Sequence, residues 1–168
     1  TAGFNTADLD KMTDSGKMGM VLLMVIGGSP GSTAGGMKTT TAAVLFAMAI
    51  SVFRKNEQAH LYNRRIAEET QRNAATIFVL YMMLFTGSAM VISYVEKVPL
   101  VTAFFETGSA IGTVGLSLGL TPTLGLASRL VLICLMFFGR VGGLTLIFAT
   151  VSGKRTEYKY PQEKITVG

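Results

Sequence analysis

Three long apolar stretches constrain this chain more than any other feature of its sequence. They cover residues 17–53, 74–95 and 126–151, and the second contains no charged residue over 22 positions. About 20 apolar residues suffice for a helix to cross the hydrocarbon core of a bilayer. The pattern predicts an all-α integral membrane protein, because a chain in lipid must satisfy its backbone polar groups within helices or closed barrels.

The first stretch is too long to cross a bilayer as one straight helix. Its 37 residues would extend roughly 55 Å at about 1.5 Å per residue, whereas a bilayer core is about 30 Å thick. Ten residues at its centre include five glycines and one proline, which disfavour a helix interior. We therefore predict two half-helices, 17–26 and 39–53, joined by an irregular intramembrane loop within residues 27–41.

A shorter apolar segment lies between the second and third stretches. It covers residues 100–111, follows Pro99, and has too few residues to cross a bilayer. A glycine-rich piece follows it over 112–117. A short helix with an irregular return is typical of a re-entrant pore loop, whose backbone is surrounded by protein or water. We predict channel-like helix–pore loop–helix repeats together with a broken transmembrane helix.

Basic residues are distributed unevenly around the apolar stretches. The linker 54–73 and the tail 152–168 together carry nine lysines and arginines, against four in the segments on the opposite side. Cytoplasmic segments of membrane proteins carry the excess of basic residues. We therefore expect a multi-pass protein of the cytoplasmic membrane, with the linker and the C-terminal tail in the cytoplasm. Topology thus explains the net charge of +5, so we expect contact with membrane lipid and no nucleic-acid partner.

Two short pieces of the chain resemble each other at an offset of 112 residues. The second begins Thr113-Val114-Gly115, as does the TVGYG loop whose backbone carbonyls replace the water shell of K⁺ in potassium channels. Glycine makes accessible the dihedral angles that point successive carbonyls the same way. Ordinary glycine turns are the alternative. Because each piece precedes an interrupted apolar stretch, we predict a K⁺ filter and no other metal site. The predicted ion-binding residues are Thr1, Ala2, Gly3, Phe4, Asn5, Thr113, Val114, Gly115, Leu116 and Ser117.

Together with these pieces, two further motifs resemble the Trk/Ktr/HKT superfamily of cation transporters. They are the run 27–40, with the sequence GGSPGSTAGGMKTT, and Phe138-Gly139-Arg140. The resemblance covers nearly the whole chain, which looks most like the C-terminal half of the membrane subunit of the bacterial Ktr potassium uptake system. It implies four pore repeats, of which residues 1–53 end the third and residues 74–151 form the fourth.

The resemblance also implies how the whole transporter works. Ktr membrane subunits pair as homodimers on a cytosolic ring of nucleotide-binding regulatory subunits, and their K⁺ uptake is associated with Na⁺. Gly3 and Gly115 match the K⁺-selective filter pattern, and we expect two more filter pieces upstream of this chain. The expected transported ion is K⁺, with Na⁺ as a second candidate. We expect no enzymatic activity, because the passage of an ion needs no covalent chemistry.

By the same resemblance, the glycine-rich run crosses the pore below the filter as a gate, and an arginine beside it is a barrier to cations. A packing kink is the alternative for the run. Arg140 lies near the middle of the third stretch, where an unpaired arginine is costly; a structural ion pair or a cap for loop carbonyls is its alternative role. The predicted gating residues are Gly27, Gly28, Ser29, Pro30, Gly31, Ser32, Thr33, Ala34, Gly35, Gly36, Lys38 and Arg140.

Two other functions fit parts of the sequence. A broken helix is typical of secondary transporters for other solutes. The glycine-rich run also resembles the P-loop of an ATPase, but Met37 separates Gly36 from Lys38 and displaces the lysine by one position.

Glu106, in the short helix, either attracts cations towards the filter or anchors the filter backbone. Cys134 is predicted to be a buried small side chain.

Overall fold

The computed structural model describes residues 2–55, 58–61 and 64–142, and this part of the chain is mostly helical. Its α-helices are α1 (Asp14–Ile26), α2 (Thr39–Phe53), α3 (Glu68–Glu96), α4 (Leu100–Ile111) and α5 (Leu126–Val141). Single 3₁₀ turns cover Leu9–Lys11 and Thr121–Thr123, and an antiparallel hairpin pairs β1 (His60–Leu61) with β2 (Arg64–Arg65). Thr1 and the tail 152–168 lie outside the described residues.

The first apolar stretch is broken into two helices, as its glycines predict. α1 begins at Asp14, three residues before the predicted start, because the Thr13 hydroxyl oxygen accepts a hydrogen bond from the Gly16 amide at 3.2 Å. It ends at Ile26, and Gly27 has a φ of 76°, which an L side chain rarely adopts. α2 then has the predicted bounds.

α3 contains the second apolar stretch and begins before it. Within the described residues it is the one helix long and apolar enough to cross a bilayer by itself, with a mean hydropathy of 2.0 over an 18-residue window. Hydropathy marks only the part of a helix suited to lipid, so the predicted span omits the polar residues 68–73. The helix ends at Glu96, where Lys97 has a left-handed φ of 55° and Pro99 follows.

α4 is the helix around which three of the other helices pack. It contacts α1, α3 and α5, and eight of its twelve residues are buried, including every residue from Phe105 to Ile111. A glycine allows close packing here, since a Cβ on Gly108 would lie 3.3 Å from Cγ1 of Val21. The bounds of α4 are those predicted from Pro99 and the following glycines. A helix this short is stabilised by packing against its neighbours rather than by its own hydrogen bonds.

α5 is the first part of the predicted third span and ends at the glycines where that span is predicted to be interrupted. It ends at Val141, where Gly142 has a φ of 84°, and residues 143–151 lie outside the described part of the chain. The prediction of a buried Cys134 is wrong, because this side chain is exposed. The helical period places it on the opposite face from the buried stripe. That stripe contains Ser128, Leu132, Leu135 and Gly139, and the exposed face contains Leu130, Ile133, Cys134 and Phe137.

The linker contains a small hairpin that the all-helical prediction does not include. Each strand has two residues, with His60 opposite Arg65 and Leu61 opposite Arg64. All four residues are exposed. The hairpin adds a local turn between α2 and α3 and leaves the chain mostly helical.

Candidate functional site

The two predicted filter pieces lie side by side in the structure, although they are near opposite ends of the described chain. Gly3 approaches the second piece so closely that a Cβ on it would lie 2.6 Å from the carbonyl oxygen of Val114. Gly3 has a φ of 75° and Gly115 a φ of 86°, so both glycines adopt conformations that other residues avoid. Thr1, which belongs to the first piece, lies outside the described residues.

The backbone of the second piece alternates in conformation. Thr113 has a φ of 52° and Gly115 a φ of 86°, whereas Val114 between them is not in the left-handed region. Successive carbonyls of an extended strand point to opposite sides, so a left-handed residue at every second position turns them towards one side. A β-branched residue with a positive φ is strained. The Thr113 and Val114 amides hold this strained start by donating to the carbonyls of Ala110 and Ser109, at 3.1 and 2.9 Å.

The side chains of the two pieces differ in burial. Phe4 is 94% exposed, and Ala2 and Asn5 are exposed as well. The Asn5 side-chain amide donates to the Ala7 carbonyl at 2.9 Å. Leu116 and Ser117 of the second piece are half-buried. The close approach between the pieces is that of Gly3 to the backbone of Val114.

Glu106 lies on α4 behind the second piece and is only 4% exposed. Its Oε1 accepts hydrogen bonds from the Ser117 hydroxyl at 2.5 Å and from the Leu118 amide at 3.1 Å. Its Oε2 accepts from the Thr121 hydroxyl at 2.8 Å. An ionised carboxylate is an acceptor only, so three donors match it chemically. Of the two roles left open by the sequence, the geometry is that of an anchor.

The glycine-rich loop between α1 and α2 is closed at its base. The amides of Met37, Lys38 and Thr39 donate to the carbonyls of Val25, Ile26 and Gly28 at 3.1, 2.8 and 3.1 Å. Lys38 has a φ of 80°, and its ammonium group donates to the Ala34 carbonyl within the loop. The outer part, Ser29–Thr33, is exposed, whereas Gly35 and Gly36 are buried. The two half-helices therefore meet at the loop base.

The buried half of this loop contacts the start of the second filter piece. The Gly35 amide donates to the Thr113 hydroxyl oxygen at 2.7 Å, and the Gly36 amide donates to the Ile111 carbonyl at 3.0 Å. A Cβ on Gly35 would lie 2.6 Å from Cγ2 of Thr113. Only a residue without a side chain fits this position, so the loop and the filter piece form one continuous packed unit.

Arg140 lies in the last turn of α5, where the third apolar stretch is interrupted by glycine. The helix ends one residue later, because Gly142 leaves helical geometry. The Arg140 side chain is exposed, and its Nη1 lies 3.4 Å from the Thr33 carbonyl oxygen of the loop. This long contact agrees with the alternative role of Arg140 as a cap for the carbonyls of the loop. Gly139 brings α5 to this place, since a Cβ on it would lie 2.1 Å from the Ile111 carbonyl oxygen.

A cavity of about 600 Å³ lies between the second filter piece, α4 and α5. It is lined by Glu106 on α4, by residues 113–117 of the second piece, and by Met136 and Arg140 on α5. The second filter piece and Arg140 therefore face one space. Within the loop, Gly35 contacts the second filter piece through Thr113, and Gly36 contacts the end of α4 through Ile111.

Sequence reasoning missed two elements of this site. The Ile111 carbonyl accepts from Gly36 and lies against Gly139, so it joins the loop, α4 and α5. Thr121 completes the donors around Glu106. The contacts of the Ile111 carbonyl have no signal in the sequence beyond the glycines themselves. Thr121 could not be singled out either, because a threonine shortly after a glycine-rich return is common.

The P-loop alternative is wrong for this loop. A P-loop follows a β-strand and opens a helix with its lysine directed at a phosphate. Here the preceding element is the helix α1, and the Lys38 ammonium group is directed at the Ala34 carbonyl inside the loop. The resemblance of this run to a nucleotide-binding motif is therefore limited to its composition.

The mostly helical fold agrees with that of an all-α family of membrane transporters. The model of the TrkH family, described as cation transport proteins, matches residues 1–158. The chain belongs to this family, which is part of the Trk/Ktr superfamily of membrane transporters.

Several curated relatives match over the whole of this chain. It is 41% identical to the potassium/sodium uptake protein NtpJ of Enterococcus hirae over 175 residues. It is 33% identical to the Ktr system potassium uptake protein B of Bacillus subtilis over 168 residues, and 33% identical to the protein of the same name from Vibrio alginolyticus. The chain spans 39%, 38% and 37% of the lengths of these three relatives. The names of these three relatives describe proteins that take up cations, and none of the names describes an enzyme.

Proposed function

We propose that this chain is part of a transporter that takes up K⁺ across the cytoplasmic membrane through a filter of backbone carbonyls, gated by the glycine-rich loop. The observation that carries the proposal is the close approach of Gly3 to the Val114 carbonyl. It makes the two filter pieces neighbours, as segments that surround one ion path must be. The relatives' names support K⁺ as the ion, and one of them adds Na⁺.

The filter works by replacing water around the ion. A dehydrated K⁺ needs several oxygen ligands, and carbonyls that point to one side supply them without any charged side chain. The left-handed residues Thr113 and Gly115 support this orientation in the second piece, and Gly3 supports it in the first. Two more pieces, from the part of the transporter upstream of this chain, complete the ring. K⁺ then passes down its electrochemical gradient without any covalent step.

The loop acts as the gate because its buried half lies against the filter. Hydrogen bonds from Gly35 and Gly36 hold it beneath Thr113 and Ile111 in the closed arrangement. Hydrogen bonds fix the base of the loop to the end of α1. Opening therefore moves the rest of the loop and leaves the two half-helices in place. Arg140 holds the loop through Thr33 and adds a positive charge beside the cation path.

In this proposal, one pore repeat ends with residues 1–53 and the next consists of residues 74–151. The linker between them, 54–73, and the tail, 152–168, are cytoplasmic. The basic residues of the linker support this orientation. We propose, as the resemblance to Ktr membrane subunits implies, assembly as a homodimer on a cytosolic ring of nucleotide-binding subunits, surrounded by lipid.

The test is substitution of the filter glycines in the complete transporter. Gly3→Ser and Gly115→Ser are each expected to lower the ratio of K⁺ to Na⁺ uptake in proteoliposomes, because serine strains a positive φ and displaces the carbonyls. Gly142→Ser is the matched control, since Gly142 has a φ of 84°, lies outside both pieces, and a Cβ on it would meet no described atom within 4 Å.

The same flux measurement separates the proposal from a secondary transporter for another solute. K⁺ flux driven by a K⁺ gradient alone supports the filter, and a requirement for a second solute supports the rival. Unchanged K⁺ and Na⁺ uptake in both filter variants would remove the assignment.

A further inference from the structure

One acidic side chain is buried within the described part of the chain, and it lies beside the second filter piece. Glu106 is 4% exposed, and no other carboxylate among the described residues is buried to this degree. A buried charge is unfavourable unless hydrogen bonds compensate it. Three hydrogen-bond donors surround this carboxylate, and all three belong to the segment that leaves the filter.

These donors come from both ends of a short turn. Ser117 is the last residue of the filter piece, Leu118 follows it, and Thr121 begins the next 3₁₀ turn. The turn is closed internally as well, because the Gly119 amide and the Thr121 hydroxyl lie 3.0 and 3.2 Å from the Ser117 hydroxyl oxygen. Glu106 therefore holds the turn as a unit.

The same helix also holds the beginning of the piece. The amides of Thr113 and Val114 donate to the carbonyls of Ala110 and Ser109 on α4. Between the two attachments, a Cβ on Gly115 would meet no described atom within 4 Å, and the other close approach to the piece is that of Gly3 to the Val114 carbonyl. Within the described residues, α4 thus holds the filter piece at its first and last residues.

We propose that Glu106 is a positioning residue that sets the selectivity of the filter by fixing the end of the second filter piece against α4. The inference rests on the proposed filter function. Without the carboxylate, Ser117 and the turn after it lose their attachment, and the spacing of the carbonyls from Thr113 to Leu116 is no longer determined at both ends. A functional constellation must be held within about 0.5 Å to work, so a loose end changes which ion fits.

Direct attraction of cations is the rival role for this carboxylate. An acid that attracts a passing cation must present an oxygen to the ion path. Glu106 lines the cavity, but both of its oxygens accept hydrogen bonds from Ser117, Leu118 and Thr121, and the residue is only 4% exposed. The geometry therefore favours positioning.

The two roles predict different results for Glu106→Gln and Glu106→Ala. Glutamine has the same shape without the charge: its oxygen can accept from Ser117 and Leu118, and the Thr121 hydroxyl can accept from its amide. Positioning predicts that Glu106→Gln keeps the K⁺-to-Na⁺ uptake ratio within about threefold, whereas Glu106→Ala lowers it about tenfold or more. Attraction predicts that both variants raise the half-saturating K⁺ concentration equally and leave the ratio unchanged.

A matched pair of threonines tests the same idea from the other side. Thr121→Val removes one donor to the carboxylate, and positioning predicts a lower K⁺-to-Na⁺ ratio. Thr123→Val is the control, because the Thr123 hydroxyl donates to the Leu120 carbonyl and not to Glu106. Attraction predicts no loss of selectivity from either substitution, since neither removes the charge.

The measurement is uptake of K⁺ and Na⁺ by the complete transporter in proteoliposomes, with assembly checked by size-exclusion chromatography. An assembled Glu106→Ala protein with the original ratio, or equal changes in the Gln and Ala variants, would overturn the proposal. If Glu106→Ala does not assemble, Thr121→Val decides: a lowered ratio supports positioning and an unchanged ratio refutes it. Gly115→Ser is measured in parallel, because an unchanged ratio there removes the filter itself rather than the role of Glu106.

Discussion

Substitution of Gly35 by alanine tests whether the glycine-rich loop is a gate or a kink. A Cβ on Gly35 would lie 2.6 Å from Cγ2 of Thr113, 2.9 Å from the Ile111 carbonyl oxygen and 2.9 Å from Oγ1 of Thr113. Neither neighbour yields easily: the carbonyl is backbone, and Thr113 is held in a left-handed conformation by its hydrogen bond to Ala110. The loop must therefore move away from the filter.

The size of the effect follows from these contacts. Overpacking a well-packed site costs about 1–3 kcal/mol, and the hydrogen bond from Gly35 to Thr113 is strained at the same time. A destabilisation of the closed arrangement by about 2 kcal/mol raises the ratio of open to closed transporter roughly 30-fold. If the loop is the gate, K⁺ flux per assembled transporter rises, up to the limit at which all transporters are open, and depends less on the regulatory partner.

The assay is K⁺ flux into proteoliposomes, normalised to the amount of assembled transporter from size-exclusion chromatography. Two alanine substitutions serve as controls. Gly31→Ala introduces a strained φ of 80° in the same loop but meets no atom within 4 Å, and Gly19→Ala lies in α1 with no neighbour in that range. Gly31→Ala thus reports the effect of loop strain without contact to the filter.

A well-assembled Gly35→Ala transporter with normal or reduced flux would refute the gate. If the loop is only a kink between the half-helices, the same clash lowers the unfolding temperature and the yield of assembled protein, and flux per transporter does not rise. The filter assignment survives that outcome, because it depends on Gly3, Thr113 and Gly115 rather than on the loop.

Two further predictions concern the same path. Arg140→Ala removes a positive charge beside the cavity and the contact to the Thr33 carbonyl, so maximal K⁺ uptake is expected to rise; uptake that instead falls in proportion to the protein found in the membrane would show a structural role. Deletion of Gly31–Gly35 removes the hydrogen bond to Thr113 but retains the residues whose amides close the loop base, so K⁺ flux is expected to rise and to depend less on the regulatory partner. A deletion variant that assembles normally yet conducts no more than the unaltered transporter contradicts this prediction.

Local chemistry determined much of the helical framework. The bounds of α2 and α4 are those predicted, because each helix is delimited by residues that act on their own backbone: a glycine-rich run before Thr39, Pro99 before Leu100, and Gly112 after Ile111. The break between α1 and α2 follows for the same reason. Hydropathy also located α3, although not its polar first turns, since hydropathy measures suitability for lipid and not helix formation.

Only the tertiary structure decided what these elements bring together. The sequence identifies Gly3, Gly35 and Glu106 as notable residues, but not their partners Val114, Thr113 and Thr121. Gly35 and Thr113 are 78 positions apart, and a contact over that distance depends on how α1, α4 and α5 pack. Glycines beside Arg140 likewise mark an interruption in the sequence, but the contact of Arg140 with the Thr33 carbonyl depends on how α5 packs against the loop. A glycine shows in a sequence that some close approach is allowed, whereas the atom that approaches is selected by packing between elements far apart in the chain.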